Sequence, residues 1–563
     1  MMQTKKITGA VLFVLVLVLP MAGQDEVRIN VDAAVKEGPY PPVWAFFGYD
    51  EPNYTYMKDG RKLLSELAAL SPVPVQVRVH NLLTSGDGEA ALKWGSTNAY
   101  TEDANGKPHY DWTIVDRIFD TFVERKMKPL VEIGFMPEAL SKKPEPYRHH
   151  WDPSLPYKSI FTGWAQPPRD YKKWSELVYQ WVKHCVARYG EKEVSSWYWE
   201  VWNEPDIAYW QGSAEEYQQL YDYSAEAVKR ALPAIRIGGP TSTGPGGEKA
   251  AEFLRKFLDH VVRGTNYATG KQGSPLDYIT FHAKGRPKVV NGHVQMGSEY
   301  QLRDVEKGFE IVASFPEMKK LPIIIGESDP EGCAACPVKY NPQNDYRNGT
   351  MYATYTAATL ARIRDLAVKH GVNLAGAVTW AFEFEDQTYF AGFRDLATNG
   401  VDKPVLNVFR MFGLMEGDRV RMESSGAVPL DNMVEKGVKD AADVNAVATE
   451  RAGLISVLAW NYHDDDVTAA DTRIAMAIRG IPVGVTRVLV RRYCVDRTHS
   501  NSYTAWKVMG SPQTPTPEQY TALERAGQLE MVGSPAWVDS KDAQIEMKFA
   551  LARQSVTLIQ ISW

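Results

Sequence analysis

Trp197-Tyr-Trp-Glu-Val-Trp-Asn-Glu-Pro205 runs apolar and aromatic almost to its end. It then sets an amide and a carboxylate side by side before a proline stops it. Proline disfavours helical backbone at the residue before it, so Glu204 is expected to stay extended at the end of a strand. Leu321-Pro-Ile-Ile-Ile-Gly-Glu327 repeats the design. It is a continuous apolar run of the kind buried on both faces in parallel sheets, and it too ends in glutamate.

Outward from these two stretches, short β-branched runs alternate with longer helical ones between residues 43 and 415. Eight strands are predicted: Val43–Phe47, Val73–His80, Pro129–Phe135, Trp197–Trp202, Ile235–Gly239, Tyr278–His282, Leu321–Glu327 and Ala375–Phe382. Helical patterns such as Asp116–Arg125, Tyr171–Tyr189, Ala214–Ala231 and Met351–His370 fall between them. Eight βα units predict an α/β chain folded as a (β/α)₈ TIM barrel. Functional groups of that fold gather at the C-terminal ends of the strands. Here those ends carry Arg78, His80, Phe135, Asn203, Glu204, His282, Glu327, Trp380 and Glu383. Capping or plugging accounts for one or two such residues, not for the set.

From residue 416 to 563 the pattern becomes short strands with turn-rich connections, among them Leu454–Tyr462, Val485–Val495 and Val556–Ile561. A C-terminal β-sandwich is expected, with Val27–Val31, in the segment 24–42, adding a strand to it. Residues 1–23 read as a signal peptide. Lys5 and Lys6 precede the apolar run Ala10–Leu19, and Ala22 and Gly23 suit cleavage. The run is shorter than the roughly 20 residues that cross a bilayer, so export to the periplasm or the medium is expected, with no membrane partner afterwards.

A formal net charge of −6 gives no basic surface for nucleic acid. The 16 Trp and 28 Tyr suit stacking against sugar rings, although large cores also hold many aromatics. Four cysteines in 563 residues form no disulfide framework. Cys333-Ala-Ala-Cys336 has no second ligand pair for zinc, and a local disulfide stiffening one loop is the better reading.

Strands four and seven end on opposite sides of the barrel mouth, so Glu204 and Glu327 face each other. An aromatic surround is expected to desolvate Glu204, raise its pKa and keep it protonated as a general acid. Two carboxyl groups about 5 Å apart suit glycoside cleavage with retention, one as nucleophile and one as acid/base. Asp329, two residues past Glu327, competes for the nucleophile position.

These stretches resemble clan A of the glycoside hydrolases, and specifically glycoside hydrolase family 39, the family of β-xylosidases and α-L-iduronidases. The resemblance is carried by Arg78-Val-His80, Tyr110-Asp-Trp112, Lys128-Pro-Leu-Val-Glu-Ile-Gly-Phe-Met-Pro137, Trp197 to Pro205 and Phe281-His282. It continues through Gly326-Glu-Ser-Asp-Pro330, Thr379-Trp-Ala-Phe382, Asn501-Ser-Tyr-Thr-Ala-Trp506 and Met509-Gly-Ser-Pro512. It implies a retaining hydrolase with Glu204 as acid/base and Glu327 as nucleophile. It further implies that His282, His80 and Asn203 bind sugar hydroxyls and that Trp380 lies beneath the ring. Phe135, Glu383 and Glu385 are implied as further pocket residues.

The sugar is less constrained. His282-Ala-Lys284 resembles iduronidases, where the matching lysine helps bind the substrate carboxylate, and Arg394 would be a second ligand on that reading. Glu327 to Pro337, Tyr346-Arg-Asn348 and Ala391-Gly-Phe-Arg394 instead resemble bacterial β-xylosidases, some also acting on arabinosides. An exo-acting β-xylosidase on xylo-oligosaccharides or a xylose-containing polysaccharide is the expectation, with a uronic-acid glycosidase as the alternative. A carbohydrate-binding protein on the same fold is the non-enzyme alternative, although such proteins usually lose one of the paired carboxylates. The chemistry calls for no metal and no cofactor, and nothing in the sequence fixes the oligomeric state.

Overall fold

The architecture was obtained as a computed structural model. It describes residues 26–93, 95–146 and 163–563, together with the backbone of residues 148–149 and 160–161. The signal-peptide reading of residues 1–23 therefore lies outside the described residues.

Each of the eight apolar runs becomes a barrel strand. In chain order they are Phe46–Tyr49, Gln76–Val79, Lys128–Ile133, Tyr198–Val201, Arg236–Ser242, Tyr278–Lys284, Pro322–Asp329 and Asn373–Trp380. All neighbours pair in parallel, and the eighth strand pairs with the first to close the barrel. The seventh shows why the run had to be apolar throughout: Ile323, Ile324 and Ile325 are wholly buried between the barrel interior and the helical shell. The helices start and stop on local chemistry. Ser213 and Glu216 form a capping box at the start of Ala214–Ala231, and Asp170 caps Tyr171–Tyr189. Gly371, at φ +62°, ends Thr350–His370.

The C-terminal region forms a ten-stranded mixed sheet. Its strand Leu454–Tyr462 explains the unbroken run Leu-Ile-Ser-Val-Leu-Ala-Trp. Ile455, Val457 and Ala459 face a core shared with Ile559 and Ile561 of the neighbouring strand Ser555–Ser562. The alternate residues Leu458, Trp460 and Tyr462 join the core of the barrel. One face of the sheet is thus an outer wall of the barrel. Buried polar ties complete the seam: Arg362 on the helix Thr350–His370 pairs with Asp443 at 2.8 Å, and Asn407 Nδ2 donates to the carbonyl of Gly527 at 2.8 Å.

The N-terminal strand Val27–Pro39 lies inside this sheet. It pairs antiparallel with Asp418–Ser424 and parallel with Thr472–Arg479.

Candidate active site

The mouth of the barrel holds a nearly continuous chain of alternating charges. It starts inside the barrel, where Glu132 on the third strand and Glu200 on the fourth stand in register. Both are fully buried, and Arg78 of the second strand reaches them through its guanidinium, which also bonds Asn203 Oδ1 at 3.0 Å and Glu327 at 3.2 Å. Arg78 thereby ties the ends of strands two, three, four and seven into one unit, and charge-assisted forks of this kind fix geometry strongly. Burial pushes the Glu132 carboxyl up, and the His80 and Arg78 charges pull it back.

Glu327 sits in this frame with its side chain 7% exposed. Burial alone would raise its pKa, but Lys284, His282, His80 and Arg78 outweigh that effect and hold it well below the usual carboxylate range. The strongest partner is Lys284, whose Nζ is 2.6 Å from both Glu327 Oε2 and Asp329 Oδ2. Glu327 is therefore a carboxylate at neutral pH, as a nucleophile must be.

Glu204 closes the other side. Its Oε1 is hydrogen-bonded to His282 Nδ1 at 2.9 Å. One oxygen of Glu204, one oxygen of Glu327 and a ring nitrogen of His282 all lie within 4.8 Å of one another. Oxygens this close are compatible with the carboxyl separation of about 5 Å in retaining glycosidases. The three donors could chelate a cation, but Lys284 and Arg78 already place positive charge against Glu327, which opposes a divalent ion.

One expectation for Glu204 needs correction. Its backbone is not extended: φ is +44°, in the left-handed region, and Trp202 two residues earlier is at +73°. The Glu204 amide donates to the carbonyl of Thr241 at the end of the fifth strand, which bends the chain across the mouth instead of along it. Left-handed backbone at such residues stores strain, and functional sites are where it persists. The Trp202 indole donates to the carbonyl of Tyr209, and the Glu204 side chain is 14% exposed, in keeping with partial desolvation.

His80, Trp380 and Phe135 line one wall. His80 Nδ1 is 2.7 Å from Asp50, and Nε2 is 3.2 Å from Glu132 and 3.5 Å from Glu327. The Trp380 ring lies 4.3 Å from the His80 ring, and Phe135 meets His80 edge-on at 6.0 Å. Trp380 occupies this place because Gly48 of the adjoining strand has no side chain, and a Cβ there would lie 2.4 Å from the indole. Gly326 serves His282 likewise, since a Cβ would stand 3.1 Å from the imidazole.

Burial alone would depress the His80 pKa, but the Glu132 charge and bonds to Asp50 and Glu327 raise it to about 9. His80 thus binds its proton more tightly in the folded chain than in the unfolded one. The stability this confers is complete below about pH 6.5 and is lost as pH rises through about 9, at most about 3 kcal/mol. Denaturant unfolding of wild type and His80→Gln is expected to show a gap that narrows from pH 6 to pH 9.5. A gap that widens would contradict a protonated His80.

Glu383 and Glu385 do not join the cluster. Phe382 stacks on Tyr49 at 3.9 Å and Phe384 packs edge-on to Phe393 at 5.1 Å, so the intervening carboxylate turns the other way. Glu383 accepts from the amide of Gly400, and Glu385 from that of Gly60 at 3.4 Å. Arg394 is likewise no free cation. It is fully buried, bonding the carbonyl of Trp380 at 2.9 Å and Glu331 at 2.8 Å. Glu331 also pairs with Arg347, which clamps the carbonyls of Cys333, Ala334 and Cys336 around the disulfide joining the two cysteines. Lys284 does not point to solvent but stands inside the cluster.

The sequence profile of the glycosyl hydrolases family 39 matches residues 27–538. The chain belongs to this family. Among family 39 relatives, it is 25% identical over 465 residues to a β-xylosidase of Geobacillus stearothermophilus, covering 82% of each chain. It is 26% identical over 574 residues to the α-L-iduronidase of Homo sapiens, covering 95% of this chain and 78% of that one. The crystal structure of a monomeric β-xylosidase from Caulobacter crescentus CB15 superposes with a TM-score of 0.72 at 20% identity, covering 95% and 99%. The family 39 match makes the chain an O-glycosyl hydrolase acting on carbohydrate, and the family's clan works with retention.

Proposed function

We propose that this family 39 enzyme is an exo-acting β-xylosidase that removes terminal xylose by double displacement. Glu327 attacks C1 while Glu204 passes its proton to the leaving oxygen, and the C1–oxygen bond breaks. Glu204 then takes a proton from water as that water attacks C1 and expels Glu327. Asn203, His282 and His80 hold ring hydroxyls, and Trp380 with Phe135 supplies the apolar wall.

The neutral sugar is favoured by one observation: the cations that would mark a uronic-acid site are already matched. Lys284 is held between Glu327 and Asp329, and Arg394 is sealed from the mouth. A substrate carboxylate would have to compete with two carboxylates for one ammonium. The uronide reading draws on that ammonium's third proton, which the two acids leave over.

A panel of 4-nitrophenyl glycosides separates the two. β-D-Xylopyranoside should be cleaved with β-xylose as the first product seen by proton NMR, and α-L-arabinopyranoside more slowly. Turnover of an iduronide with none of the xyloside would reverse the sugar assignment. We further propose export, on the strength of the charged and apolar stretch at residues 1–23. Intact mass of the mature protein should place its first residue near Gln24.

A further inference from the structure

The loop after the second barrel strand brings one more lysine back to the mouth. Lys93 Nζ pairs with Asp50 Oδ2 at the end of the first strand, and both residues are buried. The loop is pinned to hold that ammonium in place. The Lys93 amide donates to Glu51 Oε1 at 2.6 Å. Ser96, three residues on, exchanges two hydrogen bonds with Asn53, at 3.0 Å and 2.9 Å. Lys93 itself is left-handed at φ +60°, a conformation that disfavours a side-chain-bearing residue. Strained backbone and a buried ion pair are expensive ways to join two loops, because an apolar pair of similar volume would do so as well or better. Such strain gathers where a ligand must be met.

The position of the pair supports this. The His80 imidazole bridges Asp50 and Glu327, with Nδ1 2.7 Å from one and Nε2 3.5 Å from the other. A pyranose whose C1 faces Glu327 extends about as far as that imidazole and its bonds, so its far edge reaches Asp50 and Lys93. Tyr209, stacked on Phe135 at 5.9 Å, has its phenol pushed up by burial, and the Lys93 charge and those of Asp50, Glu204 and Glu327 act on it in opposite directions.

We propose that Asp50 and Lys93 close the end of the sugar pocket and bind the C3 and C4 hydroxyls of the terminal pyranose, Lys93 donating and Asp50 accepting. Each has capacity left after pairing: the ammonium has further protons and the carboxylate further lone pairs. The pocket then takes one terminal residue, since a chain continuing from O4 would have to displace a buried ion pair. The inference rests on the glycosidase reading of Glu204 and Glu327 but not on xylose being the sugar.

The test crosses a missing hydroxyl with a missing ammonium. Wild type and Lys93→Met are assayed on 4-nitrophenyl β-D-xylopyranoside and its 3-deoxy and 4-deoxy forms, or on the same series of whichever aryl glycoside wild type cleaves best. Wild type should lose about 10- to 100-fold in kcat/KM on at least one deoxy substrate. Lys93→Met should lose a similar factor on the parent and then discriminate that deoxy form by less than about 3-fold. Full additivity at both positions would reduce Lys93 to an orienting role for His80 and overturn the proposal. Wild-type indifference to both deoxy forms would overturn it without recourse to any variant. Failure of the xylose reading shows separately, as no turnover of the parent xyloside.

Discussion

Glu327→Ala is expected to lower kcat on an aryl glycoside by about 10⁴-fold or more, and added azide is expected to restore part of it. Removing the carboxylate leaves a small space bordered by Lys284 and Arg78. Those cations, no longer opposed by Glu327, should draw an anion into the gap. Azide entering from the nucleophile's side attacks C1 once, so the product is the α-glycosyl azide, of opposite anomeric configuration to a β-substrate. A β-azide, or a variant keeping more than about 1% of wild-type kcat, would assign the nucleophile elsewhere, Asp329 being next in line. Glu327→Gln separates chemistry from folding because it keeps volume while removing charge. It should match the alanine variant in lost activity and exceed it in thermal stability.

Glu204→Ala is expected to split substrates by leaving group. A general acid contributes roughly 10²–10⁴-fold where the departing oxygen needs a proton, and little where it leaves readily as an anion. Hydrolysis of xylobiose should fall by about 10³-fold, whereas glycosylation by a 2,4-dinitrophenyl glycoside should fall by less than about 10-fold. Azide should speed the second step here too, now giving the β-glycosyl azide because it replaces the water that Glu204 would have deprotonated. Equal losses across leaving groups would leave Glu204 as a binding group. The two variants thus yield azides of opposite configuration from one substrate, a result that two merely structural glutamates cannot produce.

The barrel was legible because each strand is an apolar run of its own, and the facing carboxyl groups because two of those runs end in a glutamate. What the linear chain hides is which charges meet. Glu132 and Glu200 are single acids inside apolar strands, Pro129-Leu-Val-Glu-Ile and Trp-Tyr-Trp-Glu, and that incongruity is the signal that could have found them. Their shared partner, Arg78, comes from a third strand. The pairing of Lys284 is hidden in the linear chain because its partners Glu327 and Asp329 lie 43 and 45 residues away. Glu383 and Glu385 were misplaced for a local reason. The eighth strand ends at Trp380, and the next alternation is set by burial of Phe382 and Phe384 against the first βα loop. The left-handed turn at Glu204 was hidden because proline restricts the helical region most, while the bond that bends the chain comes from Thr241, on another strand.

The strand Val27–Pro39 lies between Asp418–Ser424 and Thr472–Arg479, so the earliest described strand is flanked by two from the C-terminal region. On a ribosome it must wait, unpaired on both edges, until Asp418–Ser424 has emerged, nearly 380 residues later. The barrel, whose strands end at Trp380, has all its parts well before then. Synthesis therefore divides into an interval when the catalytic half can close and a later one when the two ends of the chain are sewn together. Through that wait the amphipathic strand is a ready template for other chains, and a nascent protein stalled near residue 415 would carry a formed active site beside an open, adhesive edge.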